Sequence, residues 1–124
     1  MSQPTIDVKS FPKFEPEQSS TQAGKFFYSY RICIANVEGE SCQLMSRRWL
    51  ITDANGQKQE VVGDGVVGQQ PVIEPGEEFS YTSGCLLETP VGTMEGYYIM
   101  RTQTGEEFQV PISPFLLAVP GSIN

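Results

Sequence analysis

Period-two alternation is clearest from Phe26 to Ala35: Phe26, Tyr28, Tyr30, Ile32 and Ile34 hold the even positions, while the odd ones include Ser29 and Arg31. Successive side chains of a strand point to opposite faces, so this spacing predicts a strand with one buried and one partly wetted face. No long segment repeats with the 3.6-residue period of a helix, and 12 glycines and 9 prolines interrupt the chain throughout. After turn chemistry in Asn36-Val37-Glu38-Gly39-Glu40-Ser41, the run Cys42 to Thr52 around Trp49-Leu50-Ile51 reads as the next strand. Asp53-Ala54-Asn55-Gly56 signals a tight hairpin, because Asn-Gly takes positive φ readily.

Shorter strand pieces follow at Gln59 to Val62, Pro71 to Ile73, Phe79 to Thr82, Met94 to Thr102 and Phe108 to Ile112. Ile6-Asp7-Val8-Lys9 reads as an edge strand that Pro12 and Pro16 bend or end. Seven to eight short strands with frequent turns predict an all-β fold, an antiparallel β-sandwich of immunoglobulin or fibronectin type III character. A closed barrel is the alternative architecture. Residues 1–124 are read as one domain, with the ends 1–3 and 121–124 expected to fray.

Gly63-Asp64-Gly65-Val66-Val67-Gly68 spells GxGxxG, the pattern of a dinucleotide loop. That chemistry needs a helix starting inside the turn, whose N–H groups and partial positive charge meet the pyrophosphate. Here the inner residues are two valines, and the segment runs into Gln69-Gln70-Pro71, where the proline pushes Gln70 toward extended geometry. A bulge or sharp turn is therefore the expected role of these glycines, with a small anion nest of backbone N–H groups as a further reading. Gly63, Asp64, Gly65 and Gly68 form the candidate ligand loop, with Arg47 and Arg48 as cationic helpers. Neighbours on a strand point to opposite faces, so only one of these arginines is expected to reach a given ligand. Stacking of an arginine on Trp49 or a tyrosine, with a carboxylate partner, is the competing structural role.

Asp and Glu outnumber Lys and Arg by 15 to 8, for a net charge of −7. Such a surface repels phosphate backbones and anionic lipid, so no nucleic acid and no membrane is expected as partner. No basic, apolar leader precedes the first strand, and a cytoplasmic location is expected. Cys33, Cys42 and Cys85 include no Cys-x-x-Cys pair and histidine is absent, so the usual zinc set is missing. Cys33 and Cys42 flank a turn and would face each other across a hairpin, yet stay thiols in a reducing compartment. Asp64, Glu74, Glu77 and Glu95 have no spacing that predicts a Mg²⁺ or Ca²⁺ site, and no metal or cofactor is expected. The pairs Glu77-Glu78 and Glu106-Glu107 sit beside turns and read as solvated acids rather than a catalytic dyad. Without histidine, a nucleophile such as Ser83 has no ordinary base.

Several of these words, in fixed order, resemble the ApaG family. They are Arg48-Trp49-Leu50-Ile51-Thr52-Asp53, then Gly63 through Pro71, then Pro75-Gly76-Glu77-Glu78-Phe79-Ser80-Tyr81-Thr82-Ser83-Gly84. Thr89-Pro90-Val91-Gly92-Thr93-Met94-Glu95-Gly96-Tyr97-Tyr98 and Val110-Pro111-Ile112-Ser113-Pro114-Phe115 continue the match, while Cys85 and the residues before Gly24 are individual. The resemblance implies a two-sheet sandwich like fibronectin type III. It also implies a genetic link to Co²⁺ tolerance and Mg²⁺ efflux, under the alternative family name CorD. Eukaryotic relatives carry the domain in F-box proteins and in a DNA-polymerase-associated protein, which implies protein–protein recognition. The family's glycine pattern carries a nucleotide or pyrophosphate proposal onto Gly63, Gly65 and Gly68, and no catalytic residue comes with it. The expected function is a non-enzymatic binding module with a protein partner. Phosphate or pyrophosphate binding at 63–68 is the alternative, and a homodimer through a sheet edge is a further expectation.

Overall fold

The computed structural model describes residues 3–122. Eight strands follow one another: β1 (Thr5–Phe14), β2 (Phe26–Glu38), β3 (Cys42–Asp53), β4 (Lys58–Asp64), β5 (Val72–Ile73), β6 (Glu78–Leu87), β7 (Val91–Thr102) and β8 (Glu107–Ala118). Apart from one 3-10 turn at Pro16–Gln18, no helix occurs among the described residues. The strands form two antiparallel sheets, one ordered β1-β2-β6 and the other β4-β3-β7-β8, with β5 also alongside β3. This is the expected sandwich. Of the ends expected to fray, 1–2 and 123–124 lie outside the described residues, while Ser122 closes a turn by donating its N–H to Val119 O.

The alternation in β2 sets the core. Tyr28, Tyr30, Ile32 and Ile34 are all buried and face Trp49 and Ile51 of β3, Met94, Tyr98 and Met100 of β7, and Val110 and Ile112 of β8. Trp49 sits among aromatic edges, 5.5 Å from Tyr30, 5.9 Å from Phe115 and 6.4 Å from Tyr98 between ring centroids. Those separations lie in the range where tilted and edge-on pairs add to the hydrophobic term.

Several elements differ from the sequence expectation. β1 runs through Pro12 to Phe14, because it is an edge strand and a proline there costs no ladder bond on its free side. β8 continues past the expected Ile112 and through Pro114 to Ala118 for the same reason. β2 continues to Glu38, so Asn36 is a core residue and not part of a turn. Its Nδ2 donates to Glu40 O at 3.0 Å and Ile73 O at 3.1 Å, tying the β2–β3 connection to β5. Because that connection crosses between sheets, Cys33 and Cys42 do not face each other across a hairpin. Cys33 lies opposite Lys9 and Ser80 instead, and all three cysteines are free. The Asn55-Gly56 turn forms as expected, with Asp53 Oδ1 accepting from the N–H groups of Asn55 and Gln57 and Gly56 at φ +80°.

Two irregularities shape the larger sheet. In β3 the register shifts between Leu44 and Ser46, so Met45 is extra and the inward positions move from Cys42 and Leu44 to Arg47, Trp49 and Ile51. In β7 a second shift falls between Met94 and Gly96. One side of the sandwich is closed where β1 packs on β8. The other side, between β6 and the β4–β5 edge, stays open as a row of shallow clefts.

Gly96 pairs with Trp49, and a Cβ there would fall well inside contact with the Arg48 carbonyl. Main chain cannot step aside as a flexible side chain can. Gly96→Ala is therefore expected to cost about 3 kcal/mol, the upper end for overpacking, read as a lowered urea midpoint with an unchanged slope. A midpoint equal to that of the unmodified protein would contradict this close approach.

Candidate functional site

The glycine segment begins as the end of β4 and finishes as a miniature hairpin. Val66 and Gln69 exchange both backbone bonds, each 2.8 Å long, around Val67 at φ +42° and Gly68 at φ +79°. Two central residues with positive φ define a two-residue loop of the primed type. The chain thus returns on itself as extended backbone. Gly65, at φ +60°, is packed so closely on the Gln69 carbonyl that a side chain has no room. Val67 takes left-handed geometry without being glycine, a strained state for a β-branched residue. It projects its side chain into solvent at 51% exposure, while Val66 is buried at 1%.

Arg47 holds this hairpin in place. Its Nη1 donates to Asp64 O at 3.1 Å and to Gly65 O at 3.0 Å. The guanidinium lies flat against Gly63, where a Cβ would come within 2.8 Å of Nη1. Gly63, Asp64, Gly65, Gly68 and Arg47 are therefore brought together. Arg48 is not among them: it points to the other face, ion-paired with Glu60 and 5.7 Å from the Tyr97 ring centroid. The anticipated split between the two arginines holds, with Arg48 in the structural role.

The Met45 bulge turns Arg47 inward, so its charge enters the open side of the sandwich. There a cleft of about 280 Å³ is bounded by Arg47, Asp64 and the Val66–Gly68 tip, and across from them by Tyr30, Tyr81 and Ser83, with Trp49 behind. The hydroxyls of Tyr81 and Tyr98 share a 2.5 Å hydrogen bond. Burial pushes the phenols of both well above the ordinary tyrosine value, and the Arg47 charge offsets only part of this. Burial also raises Tyr30, and the nearby Arg47 charge opposes this. All three phenols are neutral at physiological pH. Ser83, weighed from sequence only as a nucleophile, has a phenol beside it and no base.

The N–H of Gly65 donates to Met45 O, that of Val66 to Gln69 O, and that of Gln69 to Val66 O, while the N–H groups of Val67 and Gly68 at the tip make no backbone bond. Gly63 and Asp64 pair with β3, and because β4 is an edge strand only one of their two N–H groups points into that ladder. Among the described residues no three Cys, Asp or Glu side chains cluster closely enough to hold a metal ion. Sequence reasoning missed Tyr30, Tyr81 and Ser83 as site residues. The available signal was parity: all three fall on inward positions, and a phenol carried inward needs a polar partner.

Two antiparallel sheets with the glycine hairpin folded over one open side define a small β-sandwich module. A family model of the ApaG domain matches residues 16–102. Protein ApaG of Vibrio vulnificus is 52% identical over 124 residues, covering 100% of this chain and 98% of the relative. Protein ApaG of an Anaeromyxobacter species is 53% identical over 119 residues, covering 96% and 94%. The crystal structure of the putative ApaA protein of Bordetella pertussis superposes with a TM-score of 0.93 at 45% identity, covering 96% of this chain and 97% of that one. The chain belongs to the ApaG family.

Two outcomes are expected. Val67→Asn keeps the left-handed geometry at lower strain, so stability should rise by about 1 kcal/mol, seen as a higher urea midpoint; a lower midpoint would mean that the valine side chain is needed there. Tyr30, Tyr81 and Tyr98 keep their protons better in the fold than in the unfolded chain, whose tyrosines titrate near 10. Their contribution is full below that pH and is lost as pH rises through the elevated folded values. Alkaline unfolding followed by circular dichroism should steepen above pH ~10, and Tyr81→Phe should flatten that slope.

Proposed function

We propose that the protein is a non-catalytic binding module that recognises another protein by accepting an extended segment along the free edge of β6. The observation that carries this reading is the difference between β6 and the other sheet edges. Sheet edges offer unpaired N–H and C=O groups, and proteins guard them with proline, lysine, bulges or short length. β1 carries Lys9, Pro12 and Lys13, and β8 carries Pro111 and Pro114. β4 is only 7 residues long and begins with Lys58, while β5 has two residues. β6 is 10 residues long and contains neither lysine nor proline. Beside it lies the open side of the sandwich, so an added strand could place alternate side chains into the clefts, as strand-addition binders do.

Other features support the same reading. The acidic net charge argues against nucleic acid and anionic membrane as partners. Among the described residues no helix is long and apolar enough to cross a membrane. Three free thiols suit the cytoplasm. The link to Co²⁺ tolerance and Mg²⁺ efflux then runs through a protein partner rather than through bound metal. Phosphate binding at residues 63–68 has less behind it, because the Asp64 and Gly65 carbonyls face Arg47 and the overall charge is −7.

Crosslinked capture from cell extract tests the edge when made comparative. The double variant Ser80→Lys, Thr82→Lys guards β6, and Gln109→Lys adds the same charge type to β8. Loss of the captured protein with the β6 variant alone is expected, together with slowed amide exchange along β6 in the purified complex. Equal capture by both variants would remove β6 from the account. Sedimentation of the protein by itself shows whether a second copy occupies that edge.

A further inference from the structure

Resting on the recognition reading above, we infer that the cleft between β6 and the glycine hairpin is a carboxylate site, which takes the side chain of an internal Asp or Glu in an extended partner segment. Arg47 forms no ion pair among the described residues, whose ion pairs are Lys25–Glu88, Arg48–Glu60 and Arg101–Glu107. Only its Nη1 is engaged, by the Asp64 and Gly65 carbonyls, which leaves Nε and Nη2 without a protein acceptor among those residues. Nε and Nη2 form one of the paired-donor edges of the guanidinium, and a carboxylate meets such an edge with two parallel bonds. The clamp on the hairpin fixes the guanidinium plane, so little rotamer freedom remains to be lost on binding.

Across the cleft stand two hydroxyls, those of Tyr30 and Ser83. The Tyr30 phenol remains protonated, because burial raises it. It is thus a donor, and two neutral donors facing one cation suit an incoming anion. Trp49 and Val66, both buried, form an apolar wall that lowers the local dielectric and strengthens the pairing.

Charge selects among anions. A doubly charged phosphate faces an overall charge of −7. A singly charged carboxylate meets half that repulsion and matches the one free edge of Arg47. Geometry selects an internal side chain over a chain terminus. Further clefts continue along β6 in both directions, one by Phe79 and Val72 and one by Leu86 and Lys58. A bound segment therefore runs past Arg47 instead of ending there. The Glu77-Glu78 end is acidic, which favours a basic residue on that side of the central acid.

The test is an amide-shift titration of the intact protein with short capped Val/Thr peptides. One carries a central Glu, one a central Gln, one no acid but a free C-terminus; inorganic pyrophosphate is the fourth probe. The Glu peptide should shift Gly65, Ser83 and the Arg47 Nε signal saturably, and bind about tenfold tighter than the Gln peptide, the ratio expected of a charge-assisted pair. Arg47→Lys should erase that preference. Should Arg47→Lys loosen the hairpin, Tyr30→Phe, which leaves the clamp intact, should still weaken the Glu peptide several-fold. Equal binding of Glu and Gln peptides along β6 would overturn the carboxylate site and leave strand addition standing. Preference for the free C-terminus, preference for pyrophosphate, or no binding of any peptide would each overturn it as well.

Discussion

One extra residue in β3 organises the molecule. Before Met45 the strand buries Cys42 and Leu44, and after it Arg47, Trp49 and Ile51 take the inward positions. A strand without that bulge would send Trp49 to solvent and Arg48 inward, since side-chain direction has a period of two. The same residue therefore places the central indole and the site's cation. Its cost is one interrupted ladder position. Aromatic packing around Trp49 offsets it, since buried Trp truncations cost about 3–5 kcal/mol.

The glycine segment and Arg47 support each other. Gly63 lets the guanidinium lie against the main chain, and Gly65 lets the hairpin fold back on Gln69. The arginine in turn satisfies two carbonyls at the mouth of the sandwich. A pattern whose spelling suggests phosphate chemistry serves here to close backbone on backbone. What remains is a charge held rigidly where the two sheets part, flanked by phenols that stay neutral.

Local patterns in the chain disclosed most of the architecture. The even positions of β2, the Asn55-Gly56 turn and the effect of Pro71 on the glycine run depend on neighbours in sequence, and all are present in the structure. Strand lengths were harder, because Pro12 and Pro114 end strands only where a partner needs their N–H, and edge status is a property of the sheet. Asn36 was misread for a related reason: turn chemistry was visible, but the Ile73 carbonyl that holds it lies 37 residues on. The site was half legible. Arg47 and the glycines could be named, and the split between Arg47 and Arg48 followed from parity. The meeting of Tyr30 with Ser83 could not, since it depends on β2 and β6 being neighbours in one sheet and on a Met45 shift that no single residue announces.

Uneven guarding of the edges has a consequence for assembly. A second molecule docked through β6 would present β1, β4 or β8 outward, each blunted by proline, lysine or brevity. Self-pairing through β6 uses the same surface on both copies and consumes it, giving a closed two-fold pair rather than a filament. A foreign strand is likewise limited to one per molecule. The fold thus exposes a sticky backbone without the hazard of polymerising along it.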